Sequence, residues 1–274
     1  MTLQTINKDI SNKHKRLSVQ VSLTGLSFLV SHTDTKETLH FSEKNFDRSY
    51  TPEELLFEIQ HVLAREEALQ SPFGEVTIIY ATSMYTVVPS SLFDETRPSD
   101  YLKFNAKILV NDFIAYDEVE NHQMVVVYVP FVNINNYFFD QYGSFQYFHS
   151  ASVLLKAVLD TERHTQDKKA FIHVRKEQFD FLILDHGALQ LCNTYTYKTP
   201  EDFIYYVLFS LEQLNGNPDT IETVLSGAIQ SDDPLYEICY RYIRNISFHT
   251  MNFSEIRIAE DAKAHEHLIL KSTL

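Results

Sequence analysis

The chain has 274 residues, 44% hydrophobic and 22% charged, which is the composition of a globular protein long enough for two modest cores. With 6 Gly and 8 Pro it has no low-complexity linker and no glycine-rich phosphate cradle, and its 20 Phe and 16 Tyr are accompanied by no Trp. A formal charge of −14 repels phosphate backbones at long range, so nucleic-acid binding would need a strong local basic patch; the short run Lys13-His14-Lys15-Arg16 is read as part of a solvated arm.

Along the chain, Leu17, Val19, Val21 and Leu23 alternate with polar residues and predict a half-buried strand. Thr24-Gly25 is read as the turn into a second strand, Leu26 to Val30. A third strand, through Leu39 and Phe41, follows the polar turn at Asp34 to Lys36. Thr51-Pro52-Glu53-Glu54 then opens a helix as a capping box with Pro at its first turn. Ser71-Pro72-Phe73-Gly74 ends it, and Val76 to Tyr80 reads as a short buried strand. Next come a helix-like stretch at Ser99 to Ala106, a strand pair (Asp112 to Val119, Met124 to Val129) and an aromatic segment from Phe131 to Phe148. A helix from about Ala151 to His164 is expected to link this half to the next.

The second half repeats the order. Ala170 to Val174, Phe179 to Leu184 and Ala188 to Tyr195 predict three strands, with Asp185-His186-Gly187 as a hairpin turn. Thr199-Pro200-Glu201-Asp202 opens a helix that Asn215-Gly216-Asn217-Pro218 stops, followed by a strand at Ile221 to Leu225 and a helix near Asp233 to Arg244. The two helix openings lie 148 residues apart (51 to 199). Leu55, Leu56, Ile59 and Leu63 map onto Phe203, Ile204, Val207 and Leu211 at that offset, and Val76 maps onto Val224. Such an array favours duplication over two independent uses of a common helix opening. A duplicated unit has a cleft between its halves, where a ligand would sit.

Three antiparallel strands, a helix, and further strands and helices resemble a ribonuclease-H-like unit. Two in tandem resemble the actin-like ATPase fold of actin, sugar kinases, heat-shock chaperones and bacterial pilus-assembly and cell-division proteins. The chain is also similar to the bacterial family called domain of unknown function 3822, thought to share that fold. The resemblance implies an α/β protein with ribonuclease-H-like domains at 17–150 and 151–258; outside them the polar sequence is read as a flexible 1–16 arm and a loosely held tail at 259–274. Each domain would be a mixed sheet with antiparallel strands 1–3 and packed helices.

The resemblance also implies an Asp-x-Gly phosphate loop in the first hairpin of each half. The Asp organises a metal and its water, and the Gly admits backbone N–H groups to phosphate. In Val19-Gln20-Val21-Ser22-Leu23-Thr24-Gly25, Ser22 replaces the Asp, Thr24 replaces the Gly, and Gly25 comes one residue late. The second hairpin, His173-Val174-Arg175-Lys176-Glu177-Gln178, has neither residue, although Arg175 or Lys176 could attract an anion. An adenosine motif is half matched by Val224-Leu225-Ser226-Gly227-Ala228, whose small residues also suit close strand-to-helix packing. Ser22, Thr24, Gly25, Arg175, Lys176, Ser226 and Gly227 are therefore the expected cleft residues. With both aspartates missing, Mg²⁺-dependent phosphoryl transfer lacks its main stabiliser.

Other candidates are weaker. His265-Glu266-His267 lacks a third ligand, and Asp112, Asp117, Glu118 and Glu120 read as a solvated edge. Cys192 and Cys239 have no metal-like spacing and are read as reduced thiols. Residues 1–16 lack a signal-peptide core, and the longest apolar run, Met124 to Val132, is too short to cross a bilayer. The aromatic segment is either core or a docking surface. The expectation is a cytoplasmic, non-catalytic scaffold with a protein partner, which a second copy of the chain could supply. No nucleic acid, membrane, metal or cofactor is expected. The alternative is a divergent nucleotide-binding protein or ATPase that holds ATP and Mg²⁺ in the cleft.

Overall fold

A computed structural model describes residues 14–70, 72–104, 108–109, 112–249, 258 and 262–274. These divide into two compact units, one holding the described residues up to 153 with 258 and 269–274, the other holding 154–249 with 262–268.

In the first unit β1 (Lys15–Ser22), β2 (Gly25–His32) and β3 (Thr38–Asn45) form an antiparallel meander, and β4 (Glu75–Tyr80) and β8 (Gln146–His149) add to it in parallel. The sheet order is β3-β2-β1-β4-β8. Helix α1 (Pro52–Arg65) crosses from β3 to β4. Its N-terminus forms because Thr51 and Glu54 exchange side-chain-to-backbone hydrogen bonds, which satisfies two helix-end donors. Leu55, Ile59, Val62 and Leu63 are its buried face, each worth about 2 kcal/mol of burial. Between β4 and β8 lies an antiparallel sheet of order β5-β7-β6, from β5 (Tyr85–Pro89), β6 (Ala115–Val119) and β7 (Met124–Tyr128). It packs a small core of Val88, Leu102, Val125, Val127 and Val129.

The second unit has the same plan. Strands β9 (Lys169–Arg175), β10 (Gln178–Asp185) and β11 (Ala188–Thr196) meander, β12 (Glu222–Gly227) and β13 (Asn245–Phe248) run parallel, and the order is β11-β10-β9-β12-β13. Helix α5 (Pro200–Gln213) repeats the capping box with Thr199 and Asp202, and α6 (Pro234–Tyr242) precedes β13. Ala170, Ile172, Val174, Phe179, Phe181 and Ile183 meet Phe203, Val207 and Leu211 in one core. The mixed α/β architecture and the duplicated strand order follow the expected plan.

Several expectations change. The stretch at Ser99 to Ala106 forms only a short helix, α2 (Pro98–Leu102), and 105–107 lie outside the described residues. β5 and β13 add to the strands expected from sequence, and β5 tolerates its terminal Pro89 because it is an edge strand. The aromatic segment splits into α3 (Val132–Tyr142) and β8. Phe131, Ile134 and Phe138 are buried and Phe139 is exposed, so the segment is core on one side only. Helix α4 (Ser150–Thr161) ends before His164.

The described part of the tail, 262–274, is not loosely held. Thr273 accepts from the Arg16 guanidinium through its carbonyl and meets Ser18 Oγ at 2.8 Å within the first unit. Leu268, Ile269, Leu270 and Lys271 of α7 (Leu268–Lys271) are buried. Of the basic run, Lys13 lies outside the described residues, and Arg16 pairs with Glu75 rather than forming a solvated arm.

Candidate functional site

The first-strand hairpins hold the residues expected to face a phosphate. Register identifies them: Ser22 pairs with Gly25 across the turn Leu23-Thr24, and Arg175 pairs with Gln178 across Lys176-Glu177. Ser22 and Arg175 therefore occupy equivalent positions, the last residue of the first strand. Both side chains turn back into their own hairpins.

Ser22 Oγ donates to the Gly25 carbonyl (3.0 Å) and accepts the Thr24 N–H (3.3 Å). The turn carbonyls of Leu23 and Thr24 accept from Tyr50 (2.7 Å) and Phe46 (2.9 Å). Gly25 lies in β2, not at the turn expected from Thr24-Gly25, and serves the sheet: a Cβ there would sit 3.0 Å from the Lys44 carbonyl on β3.

In the second hairpin the Arg175 side chain is 9% exposed and donates through Nη2 to Asp180 Oδ1 (2.8 Å), and through Nη1 to Gln178 Oε1 (3.3 Å). This is a buried ion pair, not the solvated turn expected. Lys176 is half-buried in the turn beside it.

Cross-strand register continues this chemistry into a row, Ser226 on β12, His173 on β9, Asp180 on β10 and Thr194 on β11. His173 Nδ1 and Ser226 Oγ are 3.0 Å apart, and Thr194 donates to Asp180 Oδ1 at 2.6 Å. Burial pushes His173 down to about 4, so its imidazole is neutral at pH 7. Burial opposes the charge on Asp180, but Arg175 and the Thr194 hydroxyl outweigh it and hold the carboxyl below its usual range. Asp180 Oδ2 is buried with no hydrogen-bond partner among the described residues. The corresponding row in the first unit is Ile79, Gln20, Ser27 and Glu43, without a cation.

Gly227 is required by close packing. Its φ is +84°, and a Cβ would fall 2.2 Å from the Val174 carbonyl. Its N–H donates to the His265 carbonyl (2.9 Å). His265 is buried, stacks on Phe248 (4.2 Å between centroids) and places Nε2 2.8 Å from the Ile229 carbonyl. The His265-Glu266-His267 segment is therefore a packed strap over the end of β12, with Glu266 accepting from the Lys263 N–H (2.9 Å).

The family of proteins of unknown function designated domain of unknown function 3822 (DUF3822) matches residues 4–246. The chain belongs to this family. Solved structures similar to it include a protein of actin-like ATPase fold and unknown function from Bacteroides thetaiotaomicron, 21% identical over 96% of both chains with a TM-score of 0.81. A chain of the PilM–PilN type IV pilus biogenesis complex is 9% identical over 86% of this chain and 88% of that one, with a TM-score of 0.58. The ethanolamine utilization protein EutJ from Carboxydothermus hydrogenoformans is 6% identical over 94% and 88%, with a TM-score of 0.50. No curated protein matches the chain in sequence. At such identities the likeness establishes the actin-like ATPase fold and leaves function to the site.

One buried acid of this DUF3822 protein was misread from sequence. Asp117, expected on a solvated edge with Asp112, Glu118 and Glu120, is 8% exposed. Its carboxylate accepts from Tyr128 Oη (3.0 Å), the His149 N–H (2.7 Å) and Ser152 Oγ (2.5 Å). It thereby joins the β6–β7 hairpin to the first turn of α4. Burial pushes its carboxyl up to about 6 despite these three donors. Asp180 was also missed. The available signal was an acid inside the apolar run of β10, five residues after Arg175.

Proposed function

We propose that this DUF3822 protein is a non-catalytic member of the actin-like fold that acts through protein contacts rather than by nucleotide hydrolysis. The observation carrying this is Arg175. It stands at the end of the first strand of its unit, where the fold's nucleotide-hydrolysing members need an aspartate, and Asp180 neutralises it from below. A guanidinium there cannot organise Mg²⁺, and Ser22 at the equivalent position offers a neutral hydroxyl already bonded to its own turn. The Gly227 N–H is engaged by the chain's own His265 carbonyl. The side chains present do not fit a magnesium triphosphate.

Protein contact is supported by aromatic surface. Tyr205 and Phe209 stack on α5 at 6.0 Å and are 59% and 46% exposed, and Phe57, at the position on α1 equivalent to Tyr205, is 65% exposed. Exposed aromatics are typical interface anchors. The PilM–PilN structure is itself a complex, a fold-level analogy consistent with this reading.

Titration calorimetry with ATP and Mg²⁺ tests the proposal. No heat of binding and no phosphate release are expected. Micromolar affinity, or turnover abolished by Ser22→Ala, would overturn it and favour the ATP-binding alternative.

A further inference from the structure

We propose that His14, His32 and Asp34 form a binding site for a divalent transition-metal ion of the zinc class. The three residues converge because of strand pairing. His32 is the last residue of β2 and pairs with Lys15, Asp34 follows two residues later in the turn to β3, and His14 immediately precedes β1. The His14 carbonyl accepts the Thr33 N–H at 2.7 Å, which locks the start of β1 against that turn. One donor atom from each side chain lies within 4.8 Å of the other two. His14 Nδ1 and Asp34 Oδ2 are 2.7 Å apart, and the imidazoles lie nearly parallel at 5.7 Å.

Hydrogen bonds to the turn orient the His32 ring. His32 Nδ1 accepts from the backbone N–H groups of Asp34 (3.3 Å) and Thr35 (3.4 Å), so this nitrogen presents a lone pair toward the turn and the proton resides on Nε2. Contacts of that length are weak, and a cation can displace them. Two imidazoles and one carboxylate select zinc, cobalt or nickel over magnesium or calcium, which prefer all-oxygen sets. Three protein ligands leave a coordination position for water. The site is open to solvent, with His14 and Asp34 side chains 45% and 65% exposed. A surface His–Asp ion pair needs only two of these groups; the second imidazole is what makes a chelate. Asp185 and His186 provide the comparison, a pair at 2.8 Å without a third ligating side chain among the described residues.

The test is equilibrium dialysis of the full chain against Zn²⁺, with Co²⁺ absorption spectra to report coordination. One ion per chain at micromolar concentration is expected. His14→Ala, His32→Ala and Asp34→Asn should each weaken that binding by about ten-fold or more, while His186→Ala leaves it unchanged. Melting of the metal-free variants should match the parent, because the replaced groups are not core. Absence of binding to the parent chain, or equal stoichiometry and affinity in all three variants, overturns the proposal.

Discussion

Arg16 on β1 and Glu75 on β4 form an ion pair of 2.5 Å at the start of the first unit's parallel strand pair, and Lys169 on β9 and Glu222 on β12 repeat it at 3.1 Å in the second. Both pairs sit in register, Arg16 opposite Glu75 and Lys169 opposite Glu222. The duplication thus extends to the side chains that clamp the sheet's central crossover. Lys169 also meets Glu162 at 3.2 Å, and although burial works against its charge, the two carboxylates raise its affinity for the proton. Glu222→Gln should therefore cost no more than about 1 kcal/mol, as for an exposed ion pair, and should fade in high salt. Lys169→Met should cost more, since it leaves the largely buried Glu162 uncompensated. Urea titrations at low and high salt check the ranking; equal effects would contradict it.

Glycine substitutions separate backbone conformation from space. Gly227 and Gly143 both have positive φ, +84° and +77°, but a Cβ at Gly143 meets nothing within 4 Å. Gly143→Ala should cost about 1–3 kcal/mol, because φ +77° with ψ −135° is a backbone conformation essentially reserved for glycine. Gly227→Ala must in addition push the β12 terminus away from the Val174 carbonyl, and should cost several times as much. Amide hydrogen exchange at residue 227 should accelerate in that variant alone, because its N–H bond to His265 depends on the same approach. Similar losses in both variants would show that the contact at Val174 relaxes at little cost.

The Arg175–Asp180 pair predicts strong coupling. Arg175→Ala strands a buried carboxylate and should destabilise by about 3–5 kcal/mol, whereas the double variant Arg175→Met with Asp180→Leu should recover most of the loss. Recovery is favoured because Asp180 Oδ2 has no partner among the described residues, so the network they form is only partly satisfied. Chemical denaturation of the single and double variants gives the coupling energy directly. Additive effects would mean that the two groups do not depend on one another.

Much of the fold was legible, and the reason is local chemistry. Thr51 and Thr199 announce their helices because a capping box, a proline at the first turn and a periodic apolar face all specify one state. The alternation of Leu17, Val19 and Val21 marks one buried face of β1, but Ser18 on the opposite face is buried as well, beside Thr273, so the strand is not half-buried as expected. The site was less legible because burial is a tertiary property. Asp117 and Glu118 are adjacent acids in one strand, yet strand alternation sends Asp117 inward and leaves Glu118 exposed. Arg175 reads as a turn residue until β10 folds back to bring Asp180 beside it. His265 looked incidental because its partners, Phe248 and the Ile229 carbonyl, are supplied by other elements.

Asp117 gives the pH prediction. Its carboxyl titrates near 6 in the folded chain, against an ordinary aspartate value of about 3.9 when unfolded. Folding therefore takes up a proton between those values. The stability contributed by the protonated form is complete below about pH 4 and is lost as pH rises through about 6, a change of about 3 kcal/mol. Asp117→Asn keeps an acceptor for Tyr128, Ser152 or the His149 N–H while removing the titration. Subtracting its unfolding free energy from that of the parent at each pH isolates the contribution, which should fall from pH 4 to pH 7. Parallel profiles would mean that Asp117 is already ionised at acid pH, held so by the three donors, and that burial is the weaker influence.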